Sequence, residues 1–318
     1  MTAPVRTDAA SLPPRELVLS EELRGLGGKL RALYELGKPN LSLLVVVTAV
    51  LGALLASAAH PDRATWLEAI MLVFGTSLTA MGACAANMCR EAEIDAQMVR
   101  TRSRPLPSGR VKDTEAFAWA LGTFLIGFAF LYVFTGPLPA FLSLATILLY
   151  AFVYTPAKRV GPVSIWIGAL PGAIPPLMGW SAVTGGLEPG AFALFALMCT
   201  WQFPHFLALA YMYRDDYARG GFRFLPEVDT EARTGRHIGL GAAATLGASL
   251  LPSLLGLTGP AYLIAAVGAG LFFGLRCLRA ARRLTAKSAR GAFFASIIYL
   301  PVLLVAIVVD RLLMLTGA

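Results

Sequence analysis

Charge is scarce in this chain. Only 14% of its 318 residues are Asp, Glu, Lys or Arg, against 57% hydrophobic. Soluble domains carry roughly 25% charged residues, so a soluble globular protein is excluded. Histidine is nearly absent, at three residues, and the four cysteines (Cys84, Cys89, Cys199 and Cys277) form no CxxC pair. That sets aside a zinc site and a disulfide framework, and leaves the cysteines as packing residues. No long apolar run begins before about position 41, which argues against a cleavable secretory signal. Asp8, Glu16, Glu21 and Glu22 argue against an acid-poor mitochondrial transit peptide. A bacterial plasma membrane is the expected home.

What is abundant is apolar sequence. Several runs exceed the roughly 18 residues needed to cross a bilayer. Nine spans are expected, at about 41–59, 67–89, 116–135, 138–157, 163–183, 190–213, 238–257, 260–275 and 293–315. Gly136-Pro137 splits the third from the fourth, and Gly259-Pro260 splits the seventh from the eighth. With the N-terminus inside, the cytoplasmic stretches are 1–40, 90–115, 158–162, 214–237 and 276–292. Of the 27 Lys and Arg, only Arg63 and Arg311 fall outside them. That asymmetry orients the chain with its N-terminus in and its C-terminus out. The net charge of +8 therefore reads as topology and attraction to anionic lipid, not as a nucleic-acid surface. The expected fold is all-α and integral to the membrane. Residues 1–37 form a cytoplasmic tail, in which Leu23, Leu26, Leu30 and Leu33 mark a helix lying on the membrane surface. Residues 38–318 form a single nine-helix domain.

Two inward connections, 90–115 and 214–237, are long where the outward ones are minimal. Long loops in a compact protein are commonly functional, so the activity is expected to face the cytoplasm. The first holds the most informative pattern in the chain. Asn87, Glu91 and Asp95 stand four residues apart, and Arg100, Arg102 and Arg104 follow at once. On a helix, four-residue steps set three oxygen-bearing side chains on one slowly drifting face, roughly 6 Å apart per step. Such oxygens suit a hard divalent cation such as Mg²⁺, and arginines beside them suit phosphate. The second loop adds Asp215 and Asp216, and Lys158-Arg159 ends span four. A metal-bound allylic diphosphate fits this set. Metal and bases would neutralise the leaving group, and an apolar bundle would keep water from the cation left behind. The plain alternative is local pairing, with Glu91 held by Arg90 or Lys112.

His205, in Trp201-Gln202-Phe-Pro204-His205-Phe, lies about two turns inside span six. An ionisable group at membrane depth is a functional candidate by default. Contact with a polar or tetrapyrrole substrate, or service as a base, is set against a plain interhelical hydrogen bond. Gln202 is a second buried polar group. Span five, rich in Gly and Pro from Gly161 to Gly179, implies a distorted helix with close backbone approach, and room there for a flat substrate.

Taken in order, these pieces resemble the UbiA-type intramembrane prenyltransferases. The first signature is Asn87-x-x-x-Glu91-x-x-x-Asp95 with Arg100-Thr-Arg102-Ser-Arg104-Pro-Leu106 and Gly109. Lys38-Pro39, Tyr154-Thr155-Pro-Ala-Lys158-Arg159, Gly172-Ala-Ile-Pro175-Pro176, Gln202-Phe-Pro204-His205 and Asp215-Asp216-Tyr217 narrow the likeness to the heme-farnesylating branch. The resemblance covers roughly residues 30–310. It implies nine helices around a central cavity, and transfer of the farnesyl group of farnesyl diphosphate to a vinyl carbon of heme b with addition of water. Asn87, Glu91, Asp95, Asp215 and Asp216 would hold Mg²⁺. Lys38, Arg100, Arg102, Arg104, Tyr154, Lys158 and Arg159 would bind substrate, and Gln202 and His205 would contact the heme. A heme A synthase or cytochrome oxidase assembly factors would be the protein partners. Two departures stand out. Glu91 replaces a frequent Asp, and Gly220 breaks the second Asp-x-x-x-Asp pattern. The competing readings are an aromatic prenyltransferase, a secondary transporter and an assembly scaffold. A transporter would want ionisable groups near the midplane of several helices, which spans three, four, five, seven and eight lack.

Overall fold

The structure, a computed structural model, describes residues 25–63, 65–223 and 230–316. Leu23 lies outside them. A short helix α1 (Leu26–Leu36) precedes the spans. The spans are α2 (Pro39–Ala59), α3 (Trp66–Asp95), α4 (Asp113–Phe134), α5 (Pro137–Val160), α6 (Val163–Thr184) and α7 (Pro189–Met212), then α9 (Glu231–Leu254), α10 (Pro260–Arg282) and α11 (Ala286–Thr316). A one-turn helix α8 (Arg214–Arg219) follows α7. Among the described residues, nine helices are thus long and apolar enough to cross a membrane, as the hydropathy implies, and none of the described residues forms a strand.

The helix starts are written locally. Proline stands in the first turn of α2, α5, α7 and α10, where its missing N–H costs nothing and its φ is already helical. Thr65 begins α3 with a capping box. Its hydroxyl accepts from the Glu68 N–H at 3.2 Å, and the Glu68 carboxylate accepts from the Thr65 N–H at 3.1 Å. At the other end, Asp310 of α11 accepts from the N–H groups of Gly259 and Tyr262 and so caps α10.

Two helix ends run well past the expected spans. α3 runs to Asp95, not to about 89, and α9 begins at Glu231, not 238. Hydropathy sees the bilayer, whereas Glu, Arg and Ala propagate a helix well beyond it. The Asn87–Asp95 pattern therefore lies within α3 and not in a loop.

Small residues set the tightest crossings. A Cβ on Gly179 of α6 would overlap the carbonyl oxygen of Ala49 on α2, and one on Gly52 would overlap that of Pro176. A Cβ on Gly127 of α4 would stand 2.7 Å from the Gly75 oxygen of α3. These helices meet backbone to backbone, as small residues allow in membranes. Span five is distorted as expected, since its helix breaks at Ile174 ahead of Pro175-Pro176. The space beside its glycines is filled by neighbouring side chains and backbone. The Tyr154 ring abuts Gly168, Gln202 abuts Gly172, and α2 abuts Gly179. Gly179→Ala is expected to prevent close α2–α6 docking, since only backbone could move aside. Thermal unfolding in detergent should show a loss above the roughly 1–3 kcal/mol of ordinary overpacking.

Helix α1 buries Gly28, Ala32 and Leu36 against Ala85, Met88, Leu106 and Val111. Ion pairs Lys29–Glu115 (2.6 Å) and Glu35–Arg110 (2.7 Å) tie it to α4 and to the loop before it. Leu26, Leu30 and Tyr34 stay exposed, on the side opposite that packed face.

Candidate active site

Asn87, Glu91 and Asp95 are all buried on α3, and each meets a base from a different element. Lys38 Nζ donates to Asn87 Oδ1 at 2.6 Å, Lys158 Nζ to Glu91 Oε1 at 2.6 Å, and Arg104 Nη1 to Asp95 Oδ2 at 2.6 Å. The local pairing of Glu91 with Arg90 or Lys112 is not formed. Low dielectric makes these charge-assisted contacts strong and makes an unpaired partner costly.

Each base is brought in by a specific local device. Lys38 has φ +47°, and it is the one non-glycine residue at positive φ among the described residues. A residue before proline is ordinarily extended, so this left-handed turn is strained. Strain of this kind persists where the surroundings over-determine it, and here it delivers the ammonium to Asn87. Burial pushes that ammonium down to about 8. Lys158 arrives through a π-helical segment, Leu148–Tyr154, inside α5. Such segments concentrate at functional sites because they rotate the following side chains. The segment stacks Tyr150 on Tyr154 with centroids 5.9 Å apart. The Tyr150 hydroxyl reaches Asn87 Oδ1 at 3.3 Å, and the Tyr154 ring sits 4.5 Å from Lys158 Nζ. Thr155 accepts from Asn87 Nδ2 at 2.8 Å and donates to the Tyr150 carbonyl. Sequence reading missed Tyr150 and the role of Thr155. Tyr150, Tyr154 and Lys158 repeat the four-residue spacing of Asn87, Glu91 and Asp95, and extending that rule to α5 would have found Tyr150.

Asp95 Oδ1 is buried without any hydrogen-bond partner. An orphaned carboxylate oxygen is expensive and is what a hard cation would relieve. The set Asn87, Glu91 and Asp95 therefore fits Mg²⁺ in donor type. Asp215 and Asp216, the other expected ligands, lie on α8. Asp215 is exposed and lies 3.8 Å from Arg214 Nε. Asp216 accepts from the N–H groups of Val99 (2.9 Å) and Arg100 (3.3 Å) and from Arg219 Nη2 (2.7 Å). Burial works against its charge, yet these donors together hold the carboxyl below the usual range. Among the described residues, no three Asp, Glu, His or Cys side chains converge as a metal cluster.

Asp216 thus ties the second loop to the turn that carries the arginines. Removing it should loosen that turn. Asp216→Ala is expected to raise the KM for the diphosphate about tenfold, the cost of one charge-assisted hydrogen bond, with Asp216→Asn falling between it and wild type. A metal ligand would instead show equal loss in both variants and an altered Mg²⁺ requirement, measured by titrating Mg²⁺ against rate.

Arg104 and Lys158 point into the cluster. Arg100 lies over the rings of Tyr213 (5.4 Å) and Tyr217 (5.8 Å), and Arg102 and Arg159 are exposed. The second loop covers the site with an aromatic ring. Phe222 lies 5.4 Å from Lys158 Nζ, and Arg223 N–H bonds the Lys158 carbonyl at 2.8 Å. Gln202 and His205 are engaged in helix packing. The Gln202 amide donates to the carbonyls of Ala169 (3.2 Å) and Met198 (2.9 Å). His205 Nδ1 meets Ser296 Oγ at 2.8 Å, and its ring stacks near Trp201 and Phe293.

Residues 45–298 match the model of the UbiA prenyltransferase family. The chain belongs to this family. UbiA members of known name resemble it over nearly their whole length. The protoheme IX farnesyltransferase of Opitutus terrae is 43% identical over 291 residues, covering 89% of this chain and 95% of that protein. The protoheme IX farnesyltransferase of Solibacter usitatus is 38% identical over 289 residues, covering 89% and 99%. Among solved structures, a digeranylgeranylglyceryl phosphate synthase superposes with a TM-score of 0.74 at 18% identity, covering 89% of this chain and 99% of that one. A UbiA homolog from Archaeoglobus fulgidus bound to GPP and Mg²⁺ gives 0.58 at 14% identity, covering 88% and 99%. These structures share the UbiA fold with this chain.

Proposed function

We propose that this UbiA member transfers the farnesyl group of farnesyl diphosphate to a vinyl group of heme b, with addition of water, giving heme O and diphosphate. The observation that carries the reading is the buried trio Asn87, Glu91 and Asp95, each faced by a base and with one Asp95 oxygen unpartnered, in a chain 38–43% identical to protoheme IX farnesyltransferases.

The trio would hold Mg²⁺, whose chemistry when bound is to neutralise the diphosphate as its bond to carbon breaks. Lys38, Lys158 and Arg104 present their donors along the same face of α3, so each can pass from a carboxylate or amide oxygen to a phosphate oxygen. Heterolysis leaves an allylic cation. The rings of Tyr154 and Phe222 beside Lys158 and of Tyr150 beside Lys38 offer faces that stabilise positive charge, and the buried setting keeps water away until the carbon–carbon bond to the vinyl group has formed. Arg100, held with its turn by Asp216, would meet the diphosphate from the loop side.

The placement of Lys and Arg supports an orientation with the N-terminus and the site in the cytoplasm. The acids Asp8, Glu16, Glu21 and Glu22 favour a bacterial inner membrane over a mitochondrial one, with the exposed Leu26, Leu30 and Tyr34 of α1 resting in its interface. Pairing with a heme A synthase would hand the product onward without crossing water.

The test is purified protein with heme b, farnesyl diphosphate and Mg²⁺, followed by mass spectrometry of extracted heme. A gain of one farnesyl group plus water is expected. Release of diphosphate onto a phenolic acceptor with heme unchanged would overturn the acceptor and retain the diphosphate site.

A further inference from the structure

Gln202 donates to the carbonyls of Ala169 and Met198, and His205 Nδ1 meets Ser296 Oγ; a separate groove offers the acceptor a wider surface. This groove, of about 840 Å³, lies between α6, α7 and α9. That volume lies in the roughly 300–1,000 Å³ range of small-molecule sites. Its wall is apolar and aromatic. Trp166 and Phe203 sit with ring centroids 4.0 Å apart at 52°, and Ile165 and Ala244 continue the lining. One end is basic, where Arg233 and His237 stand one turn apart at the start of α9.

We propose that this groove binds the tetrapyrrole acceptor, with the macrocycle against Trp166 and Phe203, its carboxylates toward Arg233, and its iron ligated by His237. The inference rests on the heme reading given above. His237 Nδ1 lies 2.8 Å from the Arg233 carbonyl oxygen. A carbonyl can only accept, so Nδ1 carries the proton, and the neutral ring keeps its lone pair on Nε2. A histidine tautomer held by a backbone carbonyl is the usual arrangement of a metal-ligating imidazole. The groove is separated from the surroundings of the diphosphate site by a shared wall. Ile165 lines both the groove and a small cavity of about 70 Å³ bounded by Tyr154, Phe206 and Tyr217, and Tyr154 carries Lys158 on its face. A vinyl edge passing Ile165 would enter beside the allylic carbon. A phospholipid would satisfy the basic end and the apolar wall, but it makes no use of the fixed imidazole or the paired rings.

The experiment is titration of heme b into the full chain in detergent, read by its Soret band, together with binding of a nonhydrolysable farnesyl diphosphate analogue with Mg²⁺. His237→Ala is expected to abolish the ligation-dependent Soret shift and raise the heme Kd at least tenfold. Ala244→Trp, a change at an exposed position that fills the groove, should raise Kd similarly. Val302→Trp, in a second lipid-facing groove between α10 and α11, should bind heme as wild type does. All three should bind the diphosphate analogue normally. Wild-type Kd and spectrum in both His237→Ala and Ala244→Trp, with heme still farnesylated, would overturn the groove alone and leave it to lipid. No heme binding by the wild type, with the diphosphate analogue still bound, would overturn the heme reading as well.

Discussion

Asparagine at position 95 leaves the protein folded and inserted but lowers kcat by about 10³-fold, the scale of losing one electrostatic group at a reacting centre. Asp95 is fully buried, one oxygen meets Arg104 and the other meets nothing. Asn keeps the shape and an acceptor oxygen, so packing survives. Arg104 keeps a side-chain exposure of 24%, so water can take over part of its solvation. What Asn cannot supply is the negative charge that the orphaned oxygen offers a cation. Mg²⁺ titration by calorimetry in the presence of the diphosphate should show binding weakened together with rate. Wild-type kcat in Asp95→Asn would remove the metal assignment on α3.

The second large effect separates stability from chemistry. Lys158 and Glu91 form a buried ion pair at 2.6 Å, with side-chain exposures of 11% and 5%. Lys158→Met strands the Glu91 carboxylate in the bundle, and breaking such a pair costs about 3–5 kcal/mol. The double variant Glu91→Gln/Lys158→Met removes both charges, and neutral replacements of a buried pair are commonly tolerated. The expected result is poor folding in the single variant, near-wild-type thermal stability in the double variant, and turnover lost from both. Recovered activity in the double variant would make the pair merely structural.

Much of the candidate site was legible because helical geometry is periodic. Asn87, Glu91 and Asp95 had to share a face once the segment was helical, and their oxygen chemistry named a cation. Lys158 and Arg104 were legible as phosphate-binding types, but their partners were not. That Lys158 meets Glu91 depends on a π-helical segment in α5, and that Lys38 meets Asn87 depends on a left-handed residue before proline. Neither conformation leaves a mark in composition or hydropathy. Asp215 and Asp216 show the opposite difficulty. Adjacent acids read alike in sequence, yet neighbouring positions on a helix point apart, so Asp215 meets solvent while Asp216 takes two backbone N–H groups and Arg219. His205 lies about two turns inside α7 as expected, but position along a helix does not tell which face a residue occupies. Phe203, two positions away, lines the groove while His205 packs on α11.

By itself the sequence determined the all-helical membrane class, the nine spans and the oxygen-rich face of α3, since hydrophobic length and helical period are local properties. Tertiary structure alone decided which base neutralises which oxygen and which glycines are sockets for a neighbour. Those depend on helix crossings and on two unusual backbone segments, and they are set by contacts between residues as far apart in the chain as Lys38 and Tyr150.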